Sequence, residues 1–171
     1  YVGLDLIKFL SKHPMVKIKY LCAQKKIGKN IQLFNKKLPK KLPLISNLKL
    51  VNWDSVDVLF CALPNGEAQL LSKKLVNKNL HIIDLSADFR LTNTFEYKKF
   101  YGKNHKAKKL INQSIYSVSE FTKKRIYQYK IIACAGCYPT SIQLPLLPLI
   151  KKNLINNKNI IIDSKSGYSG A

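Results

Sequence analysis

The segment Ile132-Ala133-Cys134-Ala135-Gly136-Cys137-Tyr138-Pro139-Thr140 concentrates residues able to do covalent chemistry. Gly136 lets the backbone turn sharply, and Pro139, with fixed φ and no N–H, marks the first turn of a helix. Cys137 then falls at or beside a helix N-terminus, where unpaired N–H groups and the positive end of the helix dipole favour a thiolate. A thiolate so placed is a nucleophile with oxyanion donors close by. A buried structural cysteine is the competing reading from spacing alone. Cys134 and Cys137 also have the Cys-x-x-Cys spacing of a thioredoxin-like redox pair. A zinc site needs four ligands, and neither a second such pair nor a His-x-x-x-His partner is present.

Arg90 is one of two arginines, with Arg125, in a chain that uses lysine almost everywhere else. A planar guanidinium makes two parallel bonds that lysine cannot reproduce, so its use suggests a geometric task. That task is either to hold an anionic group of a substrate or to pair with Asp84 or Asp88. Ser86 follows a predicted strand, at the carboxyl end where parallel sheets bind ligands. Glu120 and Ser166-Gly167 are further polar candidates, with loop architecture as their alternative role. Gln24-Lys25-Lys26 offers cations and no carboxylate after another predicted strand, unless these are simply two more surface lysines.

The elements that must position these groups alternate between strand and helix. Residues 2–10 read as a helix with Val2, Leu6, Ile7 and Leu10 on one face, closed by His13-Pro14. Residues 16–22 read as a strand in which Val16, Ile18 and Tyr20 alternate with lysines. Residues 24–50, with Pro39 and Pro43, read as loops with weak strand content. The apolar run 56–62, ended by Pro64-Asn65-Gly66, reads as a strand buried on both faces, followed by a helix over 67–76. A strand over 80–85, a polar loop over 86–90, a helix over 95–100 and a basic loop over 103–109 come next. A strand over 131–133, a helix over 138–152 entered through Pro139 and a strand over 160–164 complete the reading. Such alternation predicts an α/β fold of the doubly wound class with a mostly parallel, Rossmann-type sheet.

Composition bounds the partners. With 171 residues and 46% hydrophobic content the chain has room for one globular core. No apolar run approaches the roughly 20 residues that span a bilayer, and no secretory leader is visible, so no membrane partner and a cytoplasmic setting are expected. The formal charge of +21 comes from 30 Lys plus Arg against 9 Asp plus Glu. Phosphate neutralisation makes such a charge a nucleic-acid signal. The lysines, however, are spread among Asn and Ile without an aromatic-interleaved ribbon or recognition helix, so a solvated surface is expected and no nucleic acid.

Gly136-Cys137-Tyr138-Pro139-Thr140 is similar to the active-site signature of the N-acetyl-gamma-glutamyl-phosphate reductases, usually written Asn-Pro-Gly-Cys-Tyr-Pro-Thr. Other segments resemble that family in order and spacing: Tyr1-Val2-Gly3-Leu4-Asp5-Leu6 with His13-Pro14, Phe60-Cys61-Ala62-Leu63-Pro64, residues 83–91 with Leu85-Ser86-Ala87-Asp88-Phe89-Arg90, and residues 163–171. Three departures stand out. Cys134-Ala135 replaces Asn-Pro, Asn65 stands where many relatives carry His, and Ser117-Val118-Ser119-Glu120 replaces Gly-Leu-Pro-Glu or Gly-Leu-Thr-Glu.

The resemblance implies acyl transfer to Cys137 and hydride transfer from NADPH, turning N-acetyl-gamma-glutamyl phosphate into the semialdehyde with release of phosphate. It places Gly3 as the last glycine of the dinucleotide loop, and groups Gln24, Lys25, Ala62, Pro64, Ser86, Ser166 and Gly167 as cofactor-binding and Arg90 and Glu120 as substrate-binding. The cations of Gln24-Lys25-Lys26, where NAD enzymes place an acid, point to the 2'-phosphate of NADP(H). The chain is expected to be truncated at its first strand. Residues 1–155 would form the NADP-binding domain and 156–171 the start of an α+β substrate and dimerisation domain, with the family's acid-base His beyond Ala171. A homo-oligomer is expected at full length, and silence from this stretch alone. An aspartate-semialdehyde or aminoadipyl-phosphate enzyme of the same superfamily is the nearest alternative; a basic nucleic-acid-binding domain is one of another class.

Overall fold

The computed structural model describes residues 2–167. The chain divides into two compact units, residues 1–56 and 57–171. In the first, helix α1 (Val2–Leu10) leads through turns and an irregular stretch to strand β1 (Leu21–Cys22), which pairs in parallel with β2 (Ile45–Ser46). Its core is Leu21, Ile31, Leu38 and Ile45, against which Leu4, Ile7, Ile18 and Leu42 pack. The helix matches its expected span, but its inner face is Leu4 and Ile7, one helical turn apart, while Val2 is exposed. The strand expected over 16–22 keeps only its last two residues. Val16, Lys17 and Lys19 are exposed, and Leu21–Cys22 finds a partner strand only two residues long.

The second unit is built on a four-stranded, wholly parallel sheet in the order β3 (Val58–Cys61), β4 (His81–Asp84), β6 (Ile131–Cys134), β5 (Ser114–Ser117). Helix α2 (Glu67–Leu75) connects β3 to β4, α3 (Thr94–Tyr101) lies between β4 and β5, the single turn α4 (Ser119–Thr122) follows β5, and α5 (Cys137–Lys151) follows β6. β4 is central, with Ile82 and Asp84 fully buried, and Ile131 to Ala133 bring the apolar run of β6 beside it. β3 is an edge strand, which corrects the reading of 56–62 as buried on both faces: Cys61 is buried but Val58 is 42% exposed. β5 and α4 were not foreseen, because Ser114-Ile115-Tyr116-Ser117 is too short and polar to stand out from its neighbours.

The strand expected over 160–164 is absent. Those residues join no ladder, and Ile161 is 94% exposed. α5 begins at Cys137, one residue earlier than the pattern suggested, with Pro139 in its first turn. Pro145 and Pro148 also lie within it, so the carbonyls of Ser141 and Leu144 lack their usual i+4 N–H partners.

His105 shows how tightly this unit is closed. Its Nε2–H donates to the Asp88 carbonyl (2.8 Å), its Nδ1 accepts from the Ala107 N–H (3.1 Å), and its ring meets Phe89 and Tyr97 edge-on. A second ring proton would face the Ala107 donor, and burial holds the imidazole below its usual range. The unfolded chain therefore takes up the proton first. Stability from neutral His105 is complete above about pH 6.5 and is lost as pH falls through the lower folded value. Thermal melts of wild type and His105→Gln between pH 8 and 5 should show a steeper acid loss in wild type; parallel curves would remove His105 as the cause.

Candidate active site

All four strands of the second unit run the same way, so their carboxyl ends, Cys61, Asp84, Cys134 and Ser117, share one edge. The loops leaving that edge carry Ala62 and Pro64 after β3, Ser86 and Arg90 after β4, Cys137 after β6 and Glu120 after β5. Six of the residues singled out from sequence thus follow one sheet edge, the usual ligand-binding side of this architecture. Gly3, Gln24 and Lys25 belong to the first unit. Gly3 lies in the first turn of α1 with open space where a Cβ would project, and Gln24 and Lys25 are exposed on the turn after β1. Ser166 and Gly167 are exposed in the unpaired stretch after α5, and residues 168–171 of the last resembling motif lie outside the described residues.

Cys137 is the first residue of α5, capped by Gly136, and its side chain is exposed. The other cysteines of this unit differ in kind. Cys61 is buried, its thiol pushed up to about 12 by burial and then by Asp84 and Asp88; Cys134 is half-buried and also raised by burial. Both Cys-x-x-Cys thiols are free, Cys134 at the end of β6 and Cys137 at the start of α5. The Ala135 N–H continues the ladder to the Ser117 carbonyl (3.0 Å) and Gly136 is extended at φ −70°, ψ 168°. Among the described residues no group of three or more His, Cys, Asp or Glu could hold a metal ion.

Arg90 binds carbonyls. Its Nε–H donates to the Cys134 carbonyl (2.9 Å) and its Nη2 to the Leu85 carbonyl (3.1 Å), so the pairing with Asp84 or Asp88 weighed from sequence gives way to a bridge between the ends of β4 and β6. Ser86 is buried and built into its loop. Its N–H donates to Asp84 Oδ1 (2.9 Å) and its Oγ accepts from the Asp88 N–H (3.2 Å). Asp84 is wholly buried with Oδ2 unpartnered, and burial raises its carboxyl above the ordinary range.

The residue that sequence reasoning undervalued is Asp88, which is completely buried. Oδ1 accepts from the Gly66 N–H (2.7 Å), Gln69 Nε2 (3.1 Å) and the Tyr97 hydroxyl (2.9 Å), and Oδ2 from the Gln69 N–H (3.2 Å). It thereby caps α2 from outside the helix, a task the cap residue cannot perform because Gly66, at φ 95°, has no side chain. Asn65 ties the same turn from the other side, its Oδ1 accepting from the Ala87 N–H (3.3 Å). The Asp84, Ser86, Asp88 spacing was a usable signal, since such side chains bond the backbone two residues on.

Residues 1–129 match a family model described as "Semialdehyde dehydrogenase, NAD binding domain" and residues 137–171 one described as "Semialdehyde dehydrogenase, dimerisation domain". The chain belongs to the semialdehyde dehydrogenase family. Within this family it is 42% identical over 172 residues to a probable chloroplastic N-acetyl-gamma-glutamyl-phosphate reductase of Arabidopsis thaliana, all of this chain and 43% of that one. It is 41% identical over 179 residues to the N-acetyl-gamma-glutamyl-phosphate reductase of Rhodospirillum rubrum, all of this chain and 50% of that one. The chain therefore spans about half the length of the curated relatives it matches. Among solved structures it resembles Vibrio cholerae aspartate semialdehyde dehydrogenase II complexed with ASA, with TM-score 0.65 and 15% identity over 88% of this chain and 43% of that one. Candida albicans aspartate semialdehyde dehydrogenase with NADP gives TM-score 0.57 and 22% identity over 88% and 44%. These likenesses show the fold, the parallel α/β sheet of the family's dinucleotide-binding domain.

Because Asp88 satisfies four donors, its removal leaves them orphaned in the interior. Asp88→Ala should cost about 3–5 kcal/mol, read as a fall in Tm of about 10 °C, and Asp88→Asn, which keeps one acceptor oxygen, should cost less. A urea melt in which Asp88→Ala matched wild type would show that the hub does not hold the unit.

Proposed function

We propose that the protein carrying this chain reduces N-acetyl-gamma-glutamyl phosphate to the semialdehyde, with Cys137 as nucleophile and NADP(H) as cofactor. The observation that carries the reading is the exposed Cys137 thiol at the first position of α5, on the ligand-binding edge of the sheet. Identity of about 40% to relatives named as that reductase supports this substrate over aspartate-semialdehyde chemistry, since the aspartate-type structures resemble the chain in fold alone.

The thiolate of Cys137 attacks the gamma-carbonyl carbon. The C–O bond to phosphate breaks, phosphate leaves with the electron pair, and a thioester remains on sulfur. The Cys137 and Tyr138 N–H groups, which have no carbonyl partner within α5, would be the donors for the oxyanion that develops during attack and collapse; Pro139 has no N–H and the Thr140 N–H is bonded to the Gly136 carbonyl. When bound, the nicotinamide cofactor supplies the hydride that converts the thioester to aldehyde and returns the thiolate. Neither histidine of the second unit is placed as the base: His81 lies at the amino end of β4, bonded to the Tyr129 carbonyl, and both ring nitrogens of His105 are engaged.

The donor set fits a phosphorylated dinucleotide. The turn after β1 presents exposed Gln24, Lys25 and Lys26 and no carboxylate, which suits the 2'-phosphate of NADPH. Gly3, Ala62, Pro64, Ser86, Ser166 and Gly167 complete the cofactor set. Ser86 contributes through the loop its hydroxyl shapes. Arg90, whose Nη1 is the terminal nitrogen outside its two carbonyl bonds, and Glu120, exposed on α4, are assigned to the substrate. We assign residues 1–155 to the cofactor domain and 156–171 to the start of a substrate and dimerisation domain, in a cytoplasmic homo-oligomer. No helix among the described residues is long and apolar enough to cross a membrane. Exposed lysines occur on α1, α2, α3 and several loops among the described residues, which supports the solvated-surface reading.

Two measurements test this reading. Phosphate-dependent NADP reduction with N-acetyl-glutamate semialdehyde should disappear in Cys137→Ser while the fold persists by circular dichroism; retained turnover would remove Cys137 as nucleophile. Reversing charge at both Lys25 and Lys26 should raise KM for NADPH at least tenfold, about 1.4 kcal/mol of lost binding, while leaving KM for NADH nearly unchanged. Equal effects on both cofactors would reduce these lysines to surface charge.

A further inference from the structure

Gly136 has a backbone conformation that any residue can adopt, at φ −70°, ψ 168°. What crowds a side chain there is Arg90. A Cβ at position 136 would come to 3.0 Å from Nη1, 3.5 Å from Cζ and 3.6 Å from Pro139 Cδ. A free arginine would swing away, but this guanidinium is tied at Nε to the Cys134 carbonyl (2.9 Å) and at Nη2 to the Leu85 carbonyl (3.1 Å). Moving it breaks both bonds, and those bonds join the ends of β4 and β6.

We propose that Arg90 is a positioning residue for Cys137: its guanidinium, clamped between the Cys134 and Leu85 carbonyls, borders the space a Cβ at position 136 would fill and sets where α5 begins, and position 136 is glycine to admit it. Lysine cannot replace it, because one ammonium group lacks the planar fork that bridges two carbonyls with two nitrogens and leaves the third beside position 136. The term positioning rests on the reading of Cys137 as nucleophile; the geometry of the clamp does not.

The test therefore uses readouts that need no substrate. Alkylation of Cys137 by iodoacetamide, followed by peptide mass spectrometry, should change at least threefold in Arg90→Ala, Arg90→Lys and Gly136→Ala. An arginine that served only to bind the substrate anion would leave this rate unchanged and raise KM alone. Gly136→Ala should lower Tm by roughly 3–6 °C with Arg90 present and by less than about 1 °C in the Arg90→Ala background. Equal losses in both backgrounds would overturn the proposal. Should Arg90→Ala not fold, the Nε–H resonances decide, since the chain has only two arginines. The Arg90 signal should be protected from exchange in wild type and lose that protection in Gly136→Ala. A signal that is unprotected in wild type, or unaffected by the alanine, would show that the clamp does not exist. Loss of alkylation coupling with reductase turnover intact would sink the clamp alone; loss of turnover in Cys137→Ser remains the separate test of the nucleophile.

Discussion

The second unit depends on one buried carboxylate. Asp88 collects donors from the turn after β3, from the body of α2 and from α3, while its own carbonyl receives His105 from the loop beyond. A charge removed from water is costly unless its hydrogen-bonding capacity is filled, and here four donors fill it. The consequence is specificity of assembly. Gln69 reaches Asp88 and Tyr97 through its Nε2 and receives the Lys106 N–H on its Oε1, so any shift of α2 along its axis breaks several bonds together.

That hub and the Arg90 bridge divide the work along the sheet edge. Asp88 fixes the β3 to α2 turn, and Arg90 joins β4 to the turn that opens α5. Both residues come from the loop after the central strand β4, whose first part is shaped by Asp84 and Ser86 bonding backbone two residues on. A single short polar loop thereby sets two neighbouring turns at the carboxyl edge of the sheet. Of the two residues that set these turns, Asp88 is completely buried and Arg90 is partly buried.

Much of this architecture was legible in the residues. The apolar runs at 56–62 and 80–85, broken by Pro64-Asn65-Gly66, gave β3, β4 and α2, and Gly136 with Pro139 placed the start of α5 within one residue. What the pattern could not carry was partnership. β3 and the run at 16–22 have the composition of longer or more buried strands, but burial and length depend on which neighbour pairs with them. Ser114–Ser117 became a strand because β6 offered it a ladder, a fact written in β6 and not in its own residues. Arg90 was recognisable as an arginine with a geometric task, yet the choice between carboxylates and backbone carbonyls depended on two strand ends brought together by folding. His105 and Tyr97 gave no sequence signal, since a buried ring and a surface ring look alike in a lysine-rich context.

The unpaired stretch that follows α5 has a material consequence. Ile160, Ile161 and Ile162 form a β-branched run with its backbone donors and acceptors outside any ladder, and two of the three side chains are at least half exposed. Such a segment is a template for strand addition, and identical copies stack readily in register. Lys158 on one side and the Asp163–Lys165 pair on the other act as charged gatekeepers that make stacking costly at low ionic strength. Concentrated salt screens those charges and weakens that protection.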